Sequence, residues 1–88
     1  MQTKLLEKIV RGFSNHRRIE MLSLLEKLPE LSVFQVADKL GINFKTASEH
    51  LRRLTLSGLI YKHNIGAEVR HSLSSLGRNV LKFLRTLE

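Results

Sequence analysis

Leu5, Leu6, Ile9, Val10 and Phe13 fall on one stripe at helical spacing, so residues 4–13 predict a short amphipathic helix ending near Gly12. Asn15 is suited to cap a second helix, whose wide apolar face comprises Ile19, Met21, Leu22, Leu24, Leu25 and Leu28 and which Pro29 stops. Ser32, followed three positions on by Gln35, forms a capping box ahead of Val33, Val36, Ala37 and Leu40, and Gly41 terminates that helix. Asn43 then caps a helix running to about Ser57, with Gly58 as its stop. Here the period changes from helix to strand. Leu59, Tyr61 and His63 alternate with Ile60 and Lys62, and Val69, His71 and Leu73 with Arg70 and Ser72. With Asn64-Ile65-Gly66 between them, residues 59–73 predict a β-hairpin. Ser74 caps a final helix, 74–87, with Leu76, Val80, Leu81, Leu84 and Leu87 as its stripe. The expectation is a mainly α fold with a small β-hairpin, ordered as four helices, hairpin and helix, without repeats or linkers.

Two short helices joined by Gly41-Ile42-Asn43 have the length and turn of a helix-turn-helix. The second contains KTASEHLRRL, residues 45–54, which has two unlike sides. Ala47, Leu51 and Leu54 recur at helical spacing and anchor the helix, while Lys45, Thr46, Ser48, Glu49, Arg52 and Arg53 carry hydrogen-bonding groups around the rest of the cylinder. A helix laid in the DNA major groove needs short polar side chains near its N-terminus for base edges and cations nearby for phosphates. Lys45, Thr46, Ser48 and Glu49 fit the first need, with Glu49 suited to a cytosine amino group; Arg52 and Arg53 fit the second. Phe44 either tucks against the core, three residues before Ala47, or meets a thymine methyl.

Charge strengthens this reading. The 88 residues carry 15 Lys and Arg against 8 Asp and Glu, a formal net charge of +7. Residues 39–71 alone hold six basic and two acidic side chains, so the excess is centred on the candidate motif and hairpin. Such a patch suits a polyanion. With no cysteine there is neither a disulfide framework nor a thiolate metal site. The 42% hydrophobic content provides a core, and a chain of this length is expected to form one small domain, 1–88. No apolar run reaches membrane-spanning length and MQTKLLEKIVRGF lacks the features of a secretory signal, so the expected location is cytoplasmic, associated with the nucleoid.

The stretch ADKLGINFKTASEHLRRLTLSGLI resembles the helix-turn-helix core of winged-helix regulators of the ArsR-like group. The similarity lies in Ala37 with Leu40-Gly41, Thr46-Ala47-Ser48, His50-Leu51, Leu54 and Ser57-Gly58-Leu59-Ile60, and Leu73 to Arg78 is similar to the element that opens the last helix in many winged-helix repressors. The resemblance implies a winged helix-turn-helix with the order α1-α2-α3-α4-β1-β2-α5. It also implies a homodimeric transcriptional regulator, a repressor, on a palindromic operator in double-stranded DNA, with helix 43–57 in the major groove and hairpin 59–73 as the wing. Carried over, Lys45, Thr46, Ser48 and Glu49 face bases; Gln35, His50, Arg52 and Arg53 approach the backbone; and Lys62, His63, Asn64 and Arg70 serve the wing. The terminal helices 4–13 and 74–87, through Leu5, Leu6, Ile9, Phe13, Val80, Leu81, Leu84 and Leu87, either close the monomer core or also build the two-fold interface.

The metal-sensing sites of that group are missing: residues 32–36 have no Cys, and residues 74–87 have no His, Asp or Glu. His16, His50, His63 and His71 form no helical His pair, although His63 and His71 are placed to meet across the hairpin. No cofactor or small-molecule effector is expected. No carboxylate pair, nucleophile triad or phosphate-cradling glycine loop points to catalysis, so the chain is not expected to be an enzyme. A protein-interaction module and a non-specific architectural nucleic-acid binder remain the competing readings.

Overall fold

The four residues with capping chemistry all cap helices. The Asn15 side chain accepts from the N–H groups of Arg17 and Arg18 at 2.9 and 3.2 Å, and that of Asn43 from Thr46 at 2.7 Å. Ser32 and Gln35 close a reciprocal capping box at 2.9 and 3.2 Å, and Ser74 accepts from the Gly77 N–H at 3.0 Å. Each such cap typically contributes about 1 kcal/mol by pairing an otherwise orphaned amide. The computed structural model describes residues 1–88 as α1 (Thr3–Phe13), α2 (His16–Lys27), α3 (Val33–Leu40), α4 (Phe44–Leu56), β1 (Ile60–Ile65), β2 (Glu68–Leu73) and α5 (Ser75–Arg85). This is the expected order. No helix is long and apolar enough to cross a membrane.

Gly41 ends α3 in the left-handed conformation, φ 65°, and lets the chain turn directly into α4. Ile42, just ahead of the Asn43 cap, packs against the core cluster that includes Ala47 four positions into α4, the arrangement of a hydrophobic staple. The core is one continuous cluster. α2 gives it Met21, Leu22 and Leu25, α3 gives Val36 and Ala37, α4 gives Ala47, Leu51 and Leu54, and the hairpin side gives Leu59, Ile60 and Leu73. α5 adds Val80 and Leu81, which close the monomer core, one of the two roles expected for them from the sequence. Their part of the α5 stripe is satisfied within the chain. α1 supplies only the partly buried Ile9 and Phe13 and leaves Leu5, Leu6 and Val10 exposed.

The hairpin turn lies later than the sequence suggested. Asn64 and Ile65 belong to β1, Ile65 pairs with Glu68, and Gly66-Ala67 form the two-residue loop. Gly66 has φ 64°, and a two-residue hairpin loop calls for such a conformation at its first position. A further pairing was not expected. Leu31, between α2 and α3, bridges His71: the Leu31 N–H donates to the His71 carbonyl at 3.2 Å, and the His71 N–H to the Leu31 carbonyl at 2.8 Å. The Arg70 guanidinium donates to the Glu30 carbonyl at 2.8 Å, so the loop after Pro29 is stapled to the base of the hairpin.

α4, the hairpin and α5 converge at Leu59. Its N–H donates to the Leu54 carbonyl at 3.0 Å, and its own carbonyl accepts from the Ser74 N–H at 3.2 Å and the Ser74 hydroxyl at 2.8 Å. α5 crosses so closely here that a Cβ on Gly77 would lie 2.2 Å from the Leu59 carbonyl oxygen. Gly77→Ala is therefore expected to reduce the unfolding free energy by roughly 1–3 kcal/mol, the usual cost of overpacking, measured by urea denaturation.

Candidate nucleic-acid interface

The buried stripe of α4 fixes where its remaining side chains point. With Ala47, Leu51 and Leu54 turned inward, Lys45, Glu49 and Arg52, spaced at i, i+4 and i+7, share the outward face. Thr46 and Arg53 lie exposed on one flank; Ser48 and Thr55, half-buried, lie with Arg52 on the flank toward the hairpin. Phe44 is 56% exposed. The ring is therefore not tucked against the core, which corrects that alternative, whereas Ile42 two residues earlier does pack there.

The outward face is internally paired. Arg52 donates to both oxygens of the Glu49 carboxylate, from Nη2 at 2.7 Å and Nε at 3.0 Å, and Arg53 donates from Nε at 3.2 Å. These bonds, that from Arg52 foremost, hold the Glu49 carboxyl down at about 2 and raise the Arg52 guanidinium. Glu49 is thus a fixed anion between two cations, while Lys45 has no ion-pair partner.

Two of the backbone candidates have other employment. Gln35 spends its side-chain oxygen on the capping box. His50 is half-buried and turned toward α2: Arg18 Nη1 lies 3.1 Å from its Nδ1, so that nitrogen accepts and the ring is neutral. This corrects the placement of His50 on the phosphate-facing surface. Its position precedes the buried Leu51 by one and Leu54 by four, which turns it to the inner flank of α4. Burial lowers the His50 basicity first, followed by the neighbouring Arg18 and Arg53 charges and, weakly, His16, with Glu49 opposing.

Arg18 escaped the sequence reading. It is buried, and besides His50 it donates from Nε to the Gly12 carbonyl at 2.8 Å and from Nη2 to the Arg11 carbonyl at 3.3 Å. One guanidinium thereby joins the C-terminus of α1 to α4, and the negative end of the α1 dipole offsets its charge. The available signal was its spacing, three and four residues before Met21 and Leu22 on the buried stripe of α2.

The hairpin divides the wing candidates between its two faces. Lys62, paired with His71, shares with Asn64 and Val69 the face toward α4. His63, paired with Arg70, lies on the other face, where His63 Nε2 is 3.4 Å from the Glu30 carboxylate and Arg70 also donates to Glu68 at 2.8 Å. His63 and His71 therefore do not meet, and no three histidines or carboxylates gather as a metal site. Between α4 and the wing runs a cleft of ≈ 300 Å³, lined by Val33, Ser48, Arg52, Thr55, Lys62, Val69 and His71. Of the expected interface residues Leu5, Leu6, Ile9, Phe13, Leu84 and Leu87, the first two and the last are exposed and the others are partly buried.

Residues 15–62 match the family model of bacterial regulatory proteins of the arsR family. The chain belongs to the ArsR family. Among solved structures, HlyU from Vibrio cholerae is 26% identical, with 99% of this chain and 97% of HlyU aligned at a TM-score of 0.83. NolR from Sinorhizobium fredii is also 26% identical, over 98% of this chain and 83% of NolR, with a TM-score of 0.82. A third is the homodimeric winged helix-turn-helix DNA-binding domain of Mb0332 from Mycobacterium bovis, a possible ArsR-family transcriptional regulator. It aligns over 97% of this chain and 79% of its own at a TM-score of 0.87 and 22% identity, a likeness of fold. No curated protein sequence matches significantly. α3 and α4 of this ArsR-family chain are thus the helix-turn-helix and β1–β2 the wing, in a fold of transcriptional regulators.

The neutral state of His50 has a measurable consequence. A histidine whose folded basicity is lowered leaves the unfolded chain binding more protons, so stability falls as pH drops through the unfolded value of 6.5. Urea denaturation is expected to show lower stability at pH 5.5 than at pH 8, and a shallower decline in His50→Gln, which keeps an acceptor for Arg18 but does not titrate.

Proposed function

We propose that this ArsR-family chain is a sequence-specific double-stranded-DNA-binding transcriptional repressor, acting as a homodimer on a palindromic operator. The observation that carries the reading is the cleft itself: the polar outer flank of α4 and the Lys62 face of the wing border one groove-shaped depression. A polar helix face can enter the major groove, where each base pair presents its own pattern of donors and acceptors, while an adjacent cationic ridge follows the phosphates. In this reading Lys45, Thr46 and Ser48 address base edges from the first turns of α4, and Glu49 either accepts from a cytosine amino group or orients Arg52 and Arg53. Arg52, Arg53, Lys62 and Asn64 hold the backbone. His63 and Arg70 support the wing through the Glu30 loop.

The homodimer is supported by apolar surface at both ends of the chain. Leu5, Leu6 and Val10 of α1 are exposed, as are Phe83 on α5 and Leu87 just beyond it. Burying such a side chain typically contributes about 1.5–3 kcal/mol, enough in combination to favour association. The Mb0332 domain is described as homodimeric. A two-fold pair would set its two α4 helices about 34 Å apart, one DNA turn, and so select a palindrome. Repression follows if the occupied operator excludes the transcription machinery.

Selection of bound sites from a random double-stranded library tests the reading: a palindromic consensus supports it, and pools without a consensus overturn sequence specificity. Arg52→Ala is expected to weaken binding to every duplex and to reduce the log–log salt slope by about one, whereas Ser48→Ala and Lys45→Ala relax preference at single positions, by about 1–3 kcal/mol each. Leu5→Glu with Leu6→Glu is expected to convert the dimer to a folded monomer in sedimentation equilibrium, and a wild-type chain that is already monomeric at micromolar concentration would remove the dimer from the reading.

A further inference from the structure

His71 is 4% exposed, yet it lines the cleft between α4 and the wing. Its Nδ1 is 3.1 Å from the Leu31 carbonyl, which can only accept, so Nδ1 carries a proton. Leu31 also exchanges two backbone bonds with His71, so the ring is held from both main chain and side chain. Nε2 has no partner within the protein, and it is absent from the fully enclosed unpaired atoms, which are His63 Nδ1 and Arg70 Nε. The buried imidazole therefore turns its one unsatisfied nitrogen to the cleft. The same cleft is lined by the basic residues Lys62 and Arg52 and by Ser48, with Val33 and Val69 as apolar walls. The Thr55 hydroxyl lines it too, but donates back to the Leu51 carbonyl and can only accept from a visitor.

We propose that this cleft is a phosphate-binding seat whose floor is His71, and that occupation by a phosphate oxyanion loads a proton onto His71 Nε2. The chemistry favours an oxyanion: two basic residues and a serine line the cleft, and no carboxylate lines it. Nε2–H⁺ can donate to an anionic oxygen while Nδ1–H keeps its bond to Leu31, so protonation breaks nothing already made. Without an anion the charged ring is opposed by burial first, and also by Lys62 and His63, with the Leu31 bond in its favour. Of the other nearby charges, Arg52 of α4 lines the same cleft and is held by Glu49, while Arg70 of β2 lies on the opposite hairpin face, held by Glu68 and the Glu30 carbonyl. An entering phosphate reverses the balance. Linkage then requires the anion to bind more tightly as pH falls.

Two sources offer this chemistry, a phosphodiester of duplex DNA and a free phosphate; only the first rests on the function proposed above. NMR titration of the wild-type imidazoles distinguishes them, with the chain free, with a mixed-sequence DNA duplex, or with inorganic pyrophosphate. The expected result is a higher His71 titration midpoint with the duplex, with duplex affinity roughly three- to tenfold greater at pH 6 than at pH 8. His71→Gln removes this pH dependence in large part, and His63→Gln leaves it. A response to the duplex alone assigns the seat to the DNA backbone; a response to both assigns it to phosphates generally. A His71 midpoint that moves with neither overturns the seat, as does an unchanged pH dependence in folded His71→Gln. Pyrophosphate binding by a chain that ignores every duplex would keep the seat and discard the DNA-binding function.

Discussion

The close crossing of α5 over Leu59 is the constraint on which the rest of the molecule depends. Only a residue without a side chain fits at Gly77, and Ser74 fixes the crossing from both directions: its hydroxyl shares its one proton between the Gly58 and Leu59 carbonyls while accepting from the Gly77 amide. Leu59 is itself fully buried and tied by its amide to Leu54 at the end of α4. The departure of the hairpin from α4 is therefore set by backbone contacts, which are harder to deform than contacts between flexible side chains. The position of Lys62 relative to Ser48 and Arg52, and hence the cleft, follows from that junction.

Elements governed by local chemistry were readable in the sequence; contacts made at a distance were much less so. Asn15, Ser32, Asn43 and Ser74 announced helix starts because a cap acts within three residues, and Ala47, Leu51 and Leu54 announced the buried side of α4 through their spacing. The turn was misplaced because Asn64 has turn-forming chemistry, whereas the register depended on pairing across to Val69. The bridge from Leu31 to His71 spans forty residues and leaves no periodic trace. Val80 and Leu81 illustrate the converse: an amphipathic stripe tells which side is buried, not whether this chain or another covers it.

Polar residues were the hardest to assign for a related reason. A charged side chain on a helix flank reads the same whether it faces solvent, DNA or an internal carbonyl. Arg18 looks like part of a solvated basic pair with Arg17, but Arg17 pairs with Glu20 at the surface while Arg18 reaches Arg11 and Gly12. Glu49 looks like a free acceptor but is saturated by its own neighbours in the unbound chain. A base that used it would compete with two arginines already in place. Exposed ion pairs on a helix are individually weak, so the competition is open to a well-placed partner.

The hairpin is held near its base on one side by Leu59 and on the other by Leu31 and Glu30, while its tip beyond Arg70 has no such brace. Six residues per strand at about 3.3 Å each give an arm of roughly 20 Å. Mechanically it is a cantilever, clamped over its inner half and free to bend only toward Gly66 and Ala67. Helix, cleft and inner arm thus form a gauge of fixed width, and only the fingertip adapts to the contour it meets. In the DNA-binding reading proposed above, a duplex whose groove spacing departs from that width would itself have to deform to fit.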